Sequence, residues 1–352
     1  MTEAFLPYEV ILGVDTHLDT HVGVVIDARG KWFGELSIPA NLTGYQELWR
    51  WAQSFGQLRS AGIEGTGTYG AGLTQFLRTK TVEIFEINRP DRSQRRFQGK
   101  SDPTDAENAA RMVLSGKAQA IPKLQSGVAE AMRMISVARR SAVKARTQTI
   151  NQLRALLVSA PDDIRNRLWK SKPDQCVKGC EQLEALGDTV LLKTLTISLR
   201  LLAERWLYLT EELKKLDATL DSLTKQGAKR LRDQFGVGPQ TAATLITIAG
   251  DNPERLRNEA ALAALCGTNP LPASSGKTVR HRLNRGGSRS ANNALWTIVL
   301  VRMRSDPRTR AYVARRTAEG KSTKEIQRCL KRYLVRELYP LILADLKEAS
   351  CP

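Results

Sequence analysis

Ten residues between Leu192 and Leu223 limit what this chain can become more than any other feature. Leu192, Leu195, Leu199, Leu202, Trp206, Leu209, Leu213, Leu216, Leu220 and Leu223 alternate spacings of three and four. An a/d seam sustained over more than four heptads predicts a long helix whose apolar stripe is buried in a coiled coil. That seam serves either a hairpin within the chain or a contact between copies, and self-association is the favoured expectation. The preceding segment, Leu124–Ser159, is also helical in pattern. Its small mixed face (Ala131, Ala138, Ala145) suits close packing against another helix.

Charge is unevenly placed around the seam. The 352 residues carry 54 Lys+Arg against 36 Asp+Glu, a net of +18, with 41% hydrophobic residues to build cores. Residues 1–89 hold seven basic and ten acidic side chains, whereas residues 277–336 hold seventeen and three. A polyphosphate backbone calls for such a basic block, and a small acidic substrate does not. The longest apolar stretches, such as Leu295–Val301, fall far short of the ~20 residues that span a bilayer, so no membrane role is expected. The N-terminus lacks a basic stretch followed by a long apolar one, so no secretory signal is expected. Five scattered cysteines suggest a reducing cytoplasm. Cys176 and Cys180 form the only close pair and read as packed thiols, since no second Cys/His pair supports zinc.

The N-terminal region predicts strands over Tyr8–Thr16, His21–Asp27 and Lys31–Ala40, then a helix capped by Thr43 and ending at Phe55. A strand at Ser60–Glu64, a helix at Leu73–Lys80 and a strand at Val82–Asn88 follow. Three meandering strands and then alternating helix and strand is the order expected of a ribonuclease-H-like α/β domain with a mixed sheet, one of several α/β possibilities. The rest reads as a helical coiled coil and a mainly α C-terminal domain. The expected division is 1–158, 159–226 and 227–352. Phe235-Gly236-Val237-Gly238-Pro239 fits the turn of a phosphate-binding helix-hairpin-helix and an ordinary helix–turn–helix equally well.

The acids fall at telling positions. Asp15 ends the first strand and Glu64 ends a later one. Asp102 and Asp105 stand three apart at a predicted helix start, where their side chains share a face. Four carboxylates at one sheet edge repel strongly unless a divalent cation neutralises them, and Mg²⁺ suits oxygen ligands of this kind. Two such ions can activate an attacking group and stabilise the leaving oxygen of a phosphodiester. The plain alternative makes Asp102 an N-cap with Pro103 and Asp105 in the first turn, a role compatible with ligation. Gly65-x-Gly67-x-x-Gly70 matches a dinucleotide fingerprint but comes after three strands and a helix, too late for one. An actin-like phosphate loop lacks its second copy. His17 and His21 read as surface residues.

Ser274-Ser275-Gly276 lies in a turn-rich loop that opens onto Lys277, Arg280, Arg282, Arg285 and Arg289, with Arg302 and Arg304 further on. A serine there is ordinarily a turn residue, and no His–Asp partner supports a hydrolase triad. Attack on a phosphodiester has other needs: cations for the phosphate and a group to take the proton. Sparse aromatics in the basic block favour backbone contacts.

Val14-Asp15-Thr16-His17, Ile63-Glu64-Gly65-Thr66-Gly67 and Ser101-Asp102-Pro103-Thr104-Asp105 resemble the DEDD blocks of the insertion-sequence family numbered one hundred and ten. Gly236-Val237-Gly238-Pro239 and the Ser274-Ser275-Gly276 loop with its arginines resemble that family's later blocks. The resemblance implies a bridge-RNA-guided recombinase of an insertion sequence, with a RuvC-like N-terminal domain, acting on donor and target DNA in the bacterial cytoplasm. It implies that Asp15, Glu64, Asp102 and Asp105 hold Mg²⁺, with Mn²⁺ as a substitute. Ser275 would form a covalent phosphoserine link, with Ser274 the adjacent alternative. It implies a structured guide RNA and a homo-oligomer, dimers assembling to a tetramer with composite sites. One departure is visible: Gly286-Gly287-Ser288 stands where the family has glycine-asparagine, and Asn292 and Asn293 follow. The rival readings are a RuvC-like metal-dependent endonuclease without serine chemistry, and a non-catalytic nucleic-acid scaffold.

Overall fold

A computed structural model describes residues 8–87, 101–277 and 281–350, in two units, Met1–Gln125 and Ser126–Pro352. Asn88, expected to end the last strand, lies outside the described residues.

In the first unit, strands β1 (Glu9–Thr16), β2 (Thr20–Asp27) and β3 (Trp32–Pro39) form the meander. Helix α1 (Leu42–Gln53), β4 (Gln57–Glu64), α2 (Ala71–Thr79), β5 (Glu83–Ile87) and α3 (Asp102–Leu114) follow. The sheet order is β3-β2-β1-β4-β5. The first three strands pair antiparallel, while β4 lies parallel to β1 and β5 to β4. Asn41, not Thr43, caps α1: its Oδ1 accepts the Gly44 N–H at 3.0 Å, and Thr43 sits inside the first turn.

Strand alternation sorts this core onto two faces. Val10, Leu12 and Val14 pack with Leu48, Ala52, Leu73 and Leu77 of α1 and α2. On the opposite face Val24 and Ile26 meet Ala106 and Ala110 of α3. Helix α3 lies almost backbone to backbone on β1. A Cβ at Gly13 would stand 1.9 Å from the Ala106 carbonyl oxygen, and one at Gly62 would stand 2.7 Å from that of Ala109. These glycines and the alanine face fix where the start of α3 falls over the sheet.

The second unit contains α4 (Val128–Ser159), α5 (Asp162–Leu168), α6 (Pro173–Glu181), α7 (Val190–Gly227), α8 (Lys229–Arg232), α9 (Pro239–Ala249) and α10 (Glu259–Leu265). A hairpin of β6 (Pro270–Pro272) and β7 (His281–Leu283) precedes α11 (Arg289–Ser305), α12 (Pro307–Ala318) and α13 (Thr323–Ser350). Helix α4 falls in this second unit.

The heptad seam packs largely within the chain. Leu199 packs on Ile150, Leu153 and Leu157 of α4 and on the buried free thiols Cys176 and Cys180 of α6. Leu209 and Leu213 close on Ala142, and Leu220 joins Ala129 and Met132 in the C-terminal core. Helix α4 packs along this stripe, with Leu199, Leu209, Leu213 and Leu220 buried and the other seam positions partly buried. The expected alanine face of α4 also shifts, because Met132, Ala142, Ile150 and Leu153 are buried while Ala138 is exposed. The C-terminal core joins Leu245 and Ile246 of α9, Leu295 and Ile298 of α11, and Leu334, Leu338 and Ile342 of α13. Among the described residues no helix is long and apolar enough to cross a membrane.

Candidate active site

Parallel pairing brings two acids to one sheet edge. Val14 is in register with Ile63, so Asp15 and Glu64, each one residue on, end neighbouring strands at the same side. The Thr16 hydroxyl donates to the Glu64 main-chain oxygen at 2.9 Å and ties the two ends together. Helix α3 supplies the other acids. Ser101 is its N-cap, extended in backbone, with Oγ accepting the Thr104 N–H at 3.4 Å. The capping role offered for Asp102 therefore goes to its neighbour. Asp102 occupies the first helical position and its carboxylate faces His17.

Asp15, Asp102 and His17 converge. The His17 Nε2 lies 3.2 Å from an Asp15 oxygen and 3.5 Å from an Asp102 oxygen. One ligand atom from each residue falls within 4.8 Å of the others. Asp15 is 7% exposed and Asp105 2%. Burial pushes the Asp15 carboxyl above its ordinary range, His17 pulls it back, and Asp102 and Asp105 push it up again. A buried carboxylate penalised by burial and by like charges is a place where a cation is favoured, so the donor set fits a divalent metal. Its imidazole member is a softer ligand than the carboxylates and suits a transition-metal ion better than Mg²⁺.

His17 lies at the surface as expected, its side chain 47% exposed, but sequence reasoning gave it no part in the site. It lies two positions beyond Asp15 at a strand end, where alternate residues share a face, and Asp-x-His was the available signal. His21 is different. It is buried and stacked on Tyr45 with centroids 5.8 Å apart, and burial pushes its pKa below the ordinary range.

The second group of residues sits on the β6–β7 hairpin. Ser274 and Ser275 are exposed near its tip, and Gly276 takes a left-handed φ of 54°, which permits the turn. Lys277, Arg282, Arg285, Arg289 and Arg304 are exposed, and Arg280 lies outside the described residues. Arg302 departs from its expected role. Its guanidinium donates to both Glu337 oxygens at 2.8 and 2.7 Å and to the Phe235 carbonyl at 2.9 Å, with a side chain only 13% exposed. It fastens α11 to α13 and to the turn before α9, which leaves little of it for a ligand.

Residues 12–160 match a family model described as Transposase, of the DEDD type of IS110. Residues 222–314 match a second, described as Transposase IS116/IS110/IS902 family. The two matches together span more than half of the chain, and it belongs to the IS110 transposase family. The chain is also similar to the Insertion element IS110 uncharacterized 43.6 kDa protein of Streptomyces coelicolor, 29% identical over 152 residues. That stretch is 42% of this chain and 37% of the relative's length. The four acids and His17 lie in the first match, and the serine hairpin in the second.

Proposed function

We propose that this chain is a DNA transposase that cuts and rejoins strands through a serine nucleophile, with a metal-assisted acid cluster. The convergence of Asp15, His17 and Asp102 at the edge of the sheet carries the reading, because that donor set makes sense chiefly around a cation. Asp15 and Asp102 would hold the metal, with Glu64 and Asp105 beside them in the DEDD set. A bound Mg²⁺, or Mn²⁺ in its place, neutralises charge and makes a hydroxyl or water easier to deprotonate. In the serine step the Ser275 Oγ bonds to phosphorus and a sugar oxygen leaves, taking up the proton that the serine hydroxyl gives up. The exposed arginines of the hairpin offset phosphate charge while the link forms. The sheet order and the acid positions support a RuvC-like reading of the first unit. Donor and target DNA, a structured guide RNA and an oligomer of copies belong to this proposal, as the family resemblance implies.

The test uses the full chain with Mg²⁺ and its cognate DNA and RNA. Ser275→Ala abolishes the protein–DNA adduct on denaturing gels, and Ser274→Ala does not. Asp102→Asn stops all strand chemistry, as does chelation of the metal. One observation favours the rival metal-only endonuclease: Ser275 is exposed on a short hairpin, whereas the acid cluster is locally built. Hydrolytic nicking that persists in Ser275→Ala, with no adduct in the parent protein, establishes that rival.

A further inference from the structure

The hairpin and α13 enclose a cleft of about 1070 Å³ in the second unit. Arg282, Arg285 and Arg289 line one side, and Lys324, Arg328 and Arg336 the other. Helix α13 lies beyond both family matches, and none of its cations belongs to the site described above. The acids near the cleft are already engaged. Glu325 accepts the Ser322 N–H and hydroxyl at 2.9 and 2.7 Å, and Glu259 is held by Arg332, with one contact at 2.7 Å.

Lys331 stands apart from its neighbours. Arg302, Arg316 and Arg332 are partly buried and each has a carboxylate partner, in Glu337, Glu319 and Glu259. Among the described residues Lys331 has a neutral partner instead: its Nζ donates to Asn292 Oδ1 at 2.7 Å. The amide is fixed in orientation, because its Nδ2 donates to the Cys266 and Gly267 carbonyls at 2.9 and 3.2 Å. The oxygen is thus left for the lysine. Those carbonyls are rigidly placed. The backbone at Gly287 approaches Gly267 so closely that a Cβ there would lie 2.2 Å from the Gly267 nitrogen. Burial and the nearby Arg328 push the Lys331 ammonium below its ordinary range. A half-buried cation held by a neutral amide at a basic cleft retains donors and an unbalanced charge, the two things a phosphate oxygen satisfies. One helical turn along α11 from Asn292, Trp296 is 40% exposed and lines the same cleft. Cations that follow a backbone beside an exposed aromatic face are the features that bind single-stranded nucleic acid.

We infer that this cleft grips a single-stranded nucleic-acid segment, with one backbone phosphodiester on Lys331 and an adjacent base on Trp296. The inference extends the proposed function, resting on its nucleic-acid substrate but not on its strand chemistry. Asn292 is then a positioning residue, and its place after the Gly286-Gly287-Ser288 turn acquires a purpose.

The experiment measures equilibrium binding of short mixed-sequence single-stranded DNA and RNA, by fluorescence anisotropy across a salt series, with the full chain and no Mg²⁺. Lys331→Gln is expected to weaken binding roughly tenfold and to lower the slope of log K against log salt by about 0.7, the share of one phosphate on a single strand. It leaves the melting temperature unchanged or raised, because a partly desolvated cation is gone. Trp296→Ala weakens binding without changing the slope. Lys215→Gln, the same charge loss on the exposed face of α7, changes neither. Loss confined to the DNA or to the RNA arm identifies the source of the phosphate. An unchanged slope in both arms for Lys331→Gln overturns the inference, and so does a lowered melting temperature with unchanged affinity. Neither result depends on adduct formation, so failure here is separable from failure of the serine reading.

Discussion

Asp15 is almost wholly buried at the end of a central strand, while Ser275 stands exposed on a hairpin of three-residue strands. The acidic centre is held by parallel strand pairing, by a helix seated on glycines and by a serine cap. The hairpin has a three-rung ladder, a left-handed glycine and a ring of cations. Charged groups that must stay close despite repulsion need a rigid frame. A nucleophile that must reach a polymeric substrate can sit where few contacts hold it.

That contrast is open to test in descending order of effect. The largest loss is in chemistry: Asp15→Asn is expected to lower strand cutting by roughly a thousandfold or more in a gel cleavage assay, as for loss of a main electrostatic group. Ser275→Ala removes the adduct as completely but leaves stability within about 0.5 kcal/mol by urea denaturation. A large stability loss in the serine variant would break the comparison. Next come the glycines. Gly13→Val places its side chain against the Ala106 carbonyl and is expected to cost about 3 kcal/mol. Gly276→Ala meets nothing within 4 Å and is expected to cost about 1 kcal/mol through its backbone alone. Of similar size, Ser101→Ala should cost about 1 kcal/mol through the lost cap and weaken metal binding measured by calorimetry. The smallest effect is a pH dependence at His21. Its folded pKa lies below the unfolded value of about 6.5, so stability is full above that pH and is lost as the pH falls further. Thermal melts between pH 7.5 and 5 should show a shallower decline in His21→Phe than in the parent.

Much of the sheet was legible because a meander followed by alternating helix and strand admits few arrangements. The places of the four acids were legible, since each marks the end of a strand or the start of a helix. The cap was misread by one residue: Ser101 and Asp102 are both good caps, and only the backbone angles choose between them. His17 was hidden because its significance depends on a helix that begins 85 residues later. Arg302 looked like one more cation in a basic run, and its partner Glu337 is 35 residues away. Glu337 could not be picked from the run by spacing.

The sequence by itself determined that a long helix must bury a heptad stripe, that the acids punctuate an α/β domain, and that most of the net positive charge is in one block. These follow from local periodicity and from charge, which need no knowledge of distant residues. Only the tertiary structure decided that α4 covers the stripe, that His17 completes the acidic cluster, and that Lys331 faces a neutral amide while its neighbours face carboxylates. Each of those depends on which remote side chain arrives at a given surface, and that is fixed by packing.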